Sequence, residues 1–194
     1  QVPRLDPGSH LPPDALVIDT RPEGEFKLGH LKGALNIQEG DKFETWLGTL
    51  VKPETPFFLI GKDAASLNQL IYRCAKIGYE QAIQGAMVYT QDLDERRSDE
   101  FDPGHFKRHR DAYTIVDVRN ESELAGGKIF PHALHIPLDE LPRRTGEVPA
   151  DRPVVVHCAG GYRSAAAHSI LEKAIGDETK VYDLSEEVKA YEKG

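Results

Sequence analysis

Cysteine is scarce. The 194-residue chain holds two, Cys74 and Cys158, too few for the disulfide frameworks that staple small secreted domains. A free thiol suits a reducing compartment, so a cytoplasmic location is expected. Long apolar runs are missing as well. No stretch approaches the length of a membrane-spanning helix, and the opening residues do not read as a signal peptide. No membrane partner is expected. Positive charge is short: 24 Lys and Arg stand against 32 Asp and Glu, a formal net charge of −8. Divided at residue 98, the halves carry 11 basic against 14 acidic residues and 13 against 18. Neither half has the basic excess that nucleic acid demands, so nucleic acid is not expected as a partner. His30, His132, His135 and His168 lack metal-site spacing, and structural or solvated roles are expected for them, with no cofactor. Position 1 is Gln rather than an initiator methionine. A trimmed chain, or a portion of something longer, is the expectation.

What is present suits a globular chain with a core: 39% hydrophobic and 29% charged residues. One stretch organises the rest, Val154-Val155-Val156-His157-Cys158-Ala159-Gly160-Gly161-Tyr162-Arg163-Ser164. Three β-branched residues read as a buried strand. Cys158 follows where that strand ends. Two glycines, an arginine and an alanine-rich segment then read as a tight loop entering a helix. Strand, loop and helix aim backbone N–H groups at one point. A thiol there faces N–H dipoles, a helix N-terminus and a guanidinium, all of which favour the nucleophilic thiolate. A lone cysteine is more often a small buried hydrophobe; the glycines and the arginine favour the nucleophile.

The chain before this stretch reads as alternating strands and helices. Ala15–Arg21 is a short strand, Ala34–Ile37 a second and Phe57–Ile60 a third. Helices are expected at Asp41–Leu50 and Leu67–Ile77, the latter closed by Gly78. The order then recurs. Tyr113–Arg119 matches the first strand at an offset of 98, Glu123 and Gly127 match Glu25 and Gly29, and Ala133–Ile136 follows at 99. Val154–Val156 matches Phe58–Ile60 near 96 or 97. A period near 100 residues is too long for a solenoid unit and fits a duplicated domain. Strands alternating with helices predict an α/β fold with a mostly parallel central sheet flanked by helices in each half. The expected domains are 1–95 and 96–194, with the boundary inside Asp92–Asp111, where apolar periodicity is weak.

These residues resemble the rhodanese family over nearly the whole chain, as two tandem domains. The resemblance rests on Val116-Asp117-Val118-Arg119 with Glu123 beyond it, on Ala133-Leu134-His135-Ile136-Pro137, and on His157-Cys158 through Arg163-Ser164. Val181-Tyr182-Asp183-Leu184 and Ala190-Tyr191 resemble the closing strand and helix. One departure stands out: Glu186-Glu187 replace the usual glycine pair, so a reshaped closing turn is expected. The resemblance implies that the Asp-x-Arg strand end is structural and that the cysteine loop is the active site. It also implies sulfur transfer: Cys158 takes a sulfane sulfur from thiosulfate or a small persulfide and hands it to a thiol or cyanide. Ala159, Gly160, Gly161, Tyr162, Arg163 and Ser164 would bind the substrate, their N–H groups holding the anionic persulfide. Arg163 either adds to the loop's charge or pairs with a nearby carboxylate. Tyr162 contacts substrate at the rim or shields the loop. His157 is expected to pack or bond the backbone rather than act as a base. The Cys-Ala-Gly-Gly-Tyr-Arg-Ser loop is more similar to the tandem type that follows a metallo-β-lactamase-fold persulfide dioxygenase. A fused or associated dioxygenase domain therefore joins the sulfur donor and thiol acceptor as an expected partner.

Two other classes compete. Phosphatases and arsenate reductases on this scaffold place one more residue between Cys and Arg than the four found here, so this loop makes a smaller cradle. A non-catalytic module binding persulfide or a partner protein is the other. The first domain fits that description better. At an offset of 97, Gly61 falls where Cys158 sits and Ser66 where Arg163 sits, so nucleophile and cation are both missing. Cys74 lies on an apolar helix stripe with Leu67, Leu70, Ile71 and Ile77, where a thiol is more often core than catalyst.

Overall fold

The apolar runs near Val17 and Phe57 form neighbouring parallel strands. In the computed structural model, which describes residues 1–192, the chain divides into two units, Gln1–Arg97 and Ser98–Gly194. The first unit carries β1 (Val17–Asp19), β2 (Leu35–Asn36), β3 (Phe57–Gly61) and β4 (Ile83–Val88), all parallel in the order β2-β1-β3-β4. Around this sheet run α1 (Glu23–Leu28), α2 (Phe43–Leu50) and α3 (Ala64–Lys76). Strands buried on both faces read as continuous apolar runs rather than alternating ones, which is why β1 and β3 are legible. Ile18, Phe43, Leu47, Leu59 and Leu70 are wholly buried.

The second unit repeats the arrangement. Its strands β5 (Thr114–Asp117), β6 (Leu134–His135), β7 (Val154–His157) and β8 (Val181–Asp183) are parallel in the order β6-β5-β7-β8. Its helices are α4 (Pro103–Arg108), α5 (Leu141–Arg144) and α6 (Tyr162–Ile175). Each unit is thus a rhodanese-like α/β domain, as expected. Ala165, Ala166 and Ala167 are buried where α6 packs on β7 and β8, and small side chains let helix and sheet approach closely. Register aligns the domains. Asp19 pairs with Ile60, and Asp117 pairs with His157. Ile60 is therefore the counterpart of His157, and Gly61 that of Cys158.

Several elements differ from the sequence expectation. The strand β4 was not anticipated. Its sequence, Ile-Gln-Gly-Ala-Met-Val, has no β-branched run. Gly85 is there because the backbone passes close to Leu5: a Cβ would lie 2.8 Å from Leu5 Cδ1. The helix α1 is six residues long and buries one side chain, Phe26, too little to leave a periodic pattern. The start of α3 moves forward to Ala64 because Asp63 caps it, accepting the Ser66 N–H at 2.8 Å. The closing segment Ser185–Ala190 is a 3₁₀ helix.

The division between the units falls inside Asp92–Asp111, yet this stretch also supplies core: Leu93, Ser98 and Phe106 are buried. Asp102 caps α4 by accepting the His105 N–H, and Pro103 occupies the first turn, where its missing N–H costs nothing. Phe106 is fully buried, with the rings of Phe101, Tyr113, Phe130 and Tyr191 at centroid distances of 5.4–5.8 Å. Such tilted aromatic packing adds to area burial. Phe106→Ala is expected to destabilise the second domain by about 3–5 kcal/mol, through lost burial and the cavity left behind. Urea unfolding followed by tyrosine fluorescence or circular dichroism measures this. A loss under about 1 kcal/mol, the range of ordinary surface substitutions, would mean that the stretch is a tether rather than core.

Candidate active site

The strand β7 ends at His157, and Cys158 turns into the loop with its side chain 1% exposed. Three residues on, Gly161 donates its N–H to Cys158 Sγ at 3.0 Å. The loop can close this tightly because Gly161 adopts φ +111°, a conformation that side-chain-bearing residues rarely take. Space is tight as well: a Cβ there would meet the Ser185 backbone and hydroxyl at 3.2 Å. The closing turn is thus part of the site. In the closing turn, next to Glu186-Glu187, Ser185 holds φ +51°. Its N–H donates to the Asp183 carboxylate at 2.8 Å, a local bond that supports this turn.

Gly161 is also the N-cap residue of α6 and offers no side chain to the helix's first N–H groups. Ser164 turns its hydroxyl back to the Gly161 carbonyl at 3.1 Å. The positive end of a fourteen-residue helix therefore opens toward the thiol. Ala159 and Gly160 form the outer loop, and a Cβ on Gly160 would meet open space. Tyr162 is half-buried at the start of α6.

Arg163 pairs with a carboxylate, one of the two roles left open for it. Its guanidinium forms a two-pronged pair with Glu123, Nη1 to Oε2 at 2.6 Å and Nη2 to Oε1 at 2.8 Å. The Glu123 hydrogen bonds raise the guanidinium pKa against the cost of burial, and Cys158 adds to the rise through its charge and a hydrogen bond. Glu123 is held in turn by its own capping turn, accepting the Asn120 N–H at 2.7 Å. Hydrogen bonds from Arg163 hold its carboxyl down at about 2 despite partial burial.

Behind the loop lies the strand-end pair. Arg119 donates from Nε and Nη2 to Asp117 at 2.8–3.1 Å, and its backbone N–H adds a third bond at 3.0 Å. Burial pushes the Asp117 carboxyl up, but the Arg119 hydrogen bonds and the adjacent His157 outweigh it and leave it below the ordinary value. His157 donates from Nδ1 to the Cys158 carbonyl at 3.1 Å and packs edge-on to Phe130. Burial lowers its pKa, against the opposing pull of Asp117. It is a neutral, packed residue placed behind the nucleophile.

The first domain keeps the frame but lacks the loop cysteine and arginine. Arg21 repeats the strand-end pair with Asp19, at 2.7–3.2 Å. Gly61 stands where Cys158 would, as its register requires. The position equivalent to Gly160 is Asp63, whose carboxylate closes the N-terminus of α3. Where Arg163 would stand, Ser66 donates its hydroxyl to Glu39 at 2.5 Å. A carboxylate thus caps the helix, and a second one, Glu39, stands beside Ser66 with Lys62 3.8 Å away. Comparing the loops shows the missing cysteine and arginine; the capping Asp63 escaped that comparison, although an Asp three residues before Ser66 at a helix start is a recognisable signal. Cys74 is fully buried in α3, and burial pushes its thiol up to about 12.

The fold and site define a tandem α/β protein with one thiol-bearing strand-end loop among the described residues. The family model described as Rhodanese-like domain matches residues 8–95 and 102–193, and the chain belongs to the rhodanese family. Among curated relatives, an uncharacterised protein of Bacillus subtilis, YqhL, is 31% identical over 115 residues, covering 59% of this chain and 78% of that protein. A protein of Allochromatium vinosum named sulfurtransferase is 44% identical over 57 residues, covering 29% of this chain and 52% of its own length. A solved thiosulfate sulfurtransferase of Pseudomonas aeruginosa aligns with 98% of this chain and 39% of its own, at 17% identity and a TM-score of 0.41. Among the described residues, no helix is long and apolar enough to cross a membrane.

The Glu123–Arg163 pair makes a pH prediction. A carboxylate whose pKa falls on folding, here from 4.5 to about 2, adds stability above its unfolded pKa and loses it as pH falls through the folded one. The stability difference between wild type and Glu123→Gln is therefore expected to be constant above pH 4.5 and to shrink between 4.5 and about 2. Urea midpoints at a series of pH values measure it. A difference that stayed flat down to pH 2 would mean that Glu123 is not held as described.

Proposed function

We propose that the second domain is a sulfurtransferase that carries a sulfane sulfur on Cys158. The Cys158 thiolate attacks the outer sulfur of thiosulfate or of a small persulfide. The donor S–S bond breaks, its electron pair leaves with sulfite or with the donor thiolate, and Cys158 becomes a persulfide anion. An acceptor thiolate, or cyanide, then attacks the terminal sulfur and releases the Cys158 thiolate. No net oxidation occurs and no cofactor is needed. A small sulfur donor and a thiol acceptor are the partners of this cycle.

One observation carries the reading most: Cys158 Sγ already accepts the Gly161 N–H at 3.0 Å at the open N-terminus of α6. The terminal sulfur of a persulfide extends about one S–S bond beyond that atom, toward the remaining loop N–H groups. Arg163 lends positive charge without being free to swing, because Glu123 grips both of its outer nitrogens. Such fixed donors favour an anion that forms during the reaction. The cradle of four residues between Cys158 and Arg163 suits a sulfur better than a tetrahedral phosphoryl group.

The test offers thiosulfate, glutathione persulfide and a phosphate ester side by side to the purified protein. Turnover is expected with a sulfur donor and not with the ester; the reverse would overturn the reading. After donor treatment, the mass of one sulfur should appear on Cys158, and Cys158→Ser should abolish transfer while the fold persists. A serine hydroxyl is scarcely ionised at neutral pH and cannot carry sulfane sulfur. Cys74→Ser should retain near-normal activity, and persulfide stably mapped to Cys74 would refute the assignment.

Arg163→Ala should lower kcat/KM for anionic donors by the equivalent of about 1.5–3 kcal/mol, the worth of a charge-assisted hydrogen bond. It should also shift the pH profile of Cys158 alkylation upward. An alkylation profile identical to wild type would leave Arg163 a purely structural partner of Glu123.

A further inference from the structure

The second domain has a cavity of about 730 Å³ far from Cys158. It opens at the N-terminal end of the parallel strands, against Thr114 and Ile115 of β5, Leu134 of β6, and Pro149 and Arg152 ahead of β7. The thiol lies beyond the opposite end of β7. Four residues of strand separate the two, a span of about 13 Å. An occupant of this cavity is therefore not the sulfur donor attacked by Cys158.

The cavity is basic on an acidic protein. Lys107, Arg108, Arg110, His132 and Arg152 border it, from three separate parts of the chain. Two carboxylates also border it, Asp111 and Glu147. Glu147 is already neutralised from outside the cavity, since Arg144 donates to both of its oxygens at 2.8–2.9 Å. Arg108 leans toward Asp102, whose carboxyl it helps to hold down after the capping bond from His105. That leaves Lys107, Arg110 and Arg152 as the cations at the space, against the single remaining carboxylate of Asp111. Among the described residues, neither Lys107 nor Arg110 has a carboxylate partner. Arg110 is held otherwise: its guanidinium carbon lies 5.7 Å from the Phe130 ring centroid and 5.1 Å from that of Tyr191. Two rings fix the cation without spending its hydrogen bonds. Arg152 donates Nη1 to the Asp111 carbonyl at 3.2 Å, which anchors it at the rim, and its Nη2 lies 3.8 Å from exposed Asp151, a pair that water screens.

A run of exposed cations is usually a solvated face. Here three elements converge on one concavity, an arginine is stacked and unpaired, and Ile115, Phe130 and Leu134 give an apolar wall. That combination, an apolar wall with a few convergent polar groups at this volume, describes a small-molecule site. We infer that this cavity binds a phosphate-bearing organic anion of nucleotide size, with Arg110, Lys107 and Arg152 on the phosphate and the body against the apolar wall. The inference stands independently of sulfur transfer at Cys158.

The experiment titrates the full chain with AMP by calorimetry, with adenosine and inorganic phosphate as separate arms. AMP is expected to bind saturably, more weakly as salt rises. Adenosine, lacking the charge, and inorganic phosphate, lacking the body, should each bind at least about tenfold more weakly. Arg152→Gln and Arg110→Gln should each weaken AMP by about tenfold, the cost of one charge-assisted contact. Arg152 is exposed at the rim, so its variant is informative even where loss of the Arg110 stack perturbs the fold. Alkylation of Cys158 should leave AMP affinity unchanged. No saturable AMP binding, binding equal in both variants and wild type, or binding abolished by Cys158 alkylation would each overturn the proposal.

Discussion

A carboxylate and a guanidinium two residues apart, Asp117 and Arg119, anchor the thiol-bearing half of the molecule. Both are buried at the end of β5. Taking charges out of water is costly, and a buried pair is weak evidence for stability in itself. Its effect is geometric. Asp117 accepts from the side chain and the backbone of Arg119, so the chain leaving β5 has one available direction. That direction sets down the turn bearing Glu123. Glu123 grips Arg163, and Arg163 borders Cys158. His157 sits beside Asp117 and bonds the Cys158 carbonyl. The nucleophile's surroundings thus trace back, contact by contact, to one ion pair.

The same pair in the first domain, Asp19 with Arg21, shows that the anchor and the chemistry are separable. Arg21 is as firmly bound as Arg119, reaching the Gly29 carbonyl at 2.8 Å and stacking over Tyr89 at 3.4 Å. Yet the loop at the end of β3 has Gly61 and Ser66 in place of Cys158 and Arg163, and Asp63 closes its helix. A capped helix is stabilised by its carboxylate, which takes up one of its free N–H groups and places a negative charge there. An uncapped one, as at Gly161, forgoes that stabilisation, typically about 1 kcal/mol, and keeps its donors for a ligand. Besides the exchanged cysteine and arginine, the two loops differ in how the helix N-terminus behind each is satisfied.

Sequence alone carried a large part of this. The duplication, the parallel strands and the Cys158 loop were legible because each rests on local pattern: uninterrupted β-branched runs, an offset near 98, glycines beside a cysteine. The strand β4, the helix α1 and the role of Phe106 were not, because each depends on partners distant in the chain. Gly85 is small because Leu5 crosses it, and Phe106 is core because Phe130 and Tyr191 fold back onto it. Arg163 had two open roles in sequence because its partner, Glu123, is 40 residues away.

What the sequence determined by itself was therefore the family, the two-sheet plan and which half retains a loop thiol, since periodicity, repeat and residue type are properties of neighbouring positions. Tertiary structure decided how that thiol is held. The Gly161 N–H reaches its sulfur from a backbone at φ +111°, with Ser185 packed 3.2 Å from where a Cβ would stand. Arg163 is fixed only because the Asn120–Glu123 turn arrives beside α6. A basic cavity emerges at the far end of the sheet only when α4, β6 and the approach to β7 converge. These are relations between segments far apart in the chain, and the folded core alone brings them within contact distance.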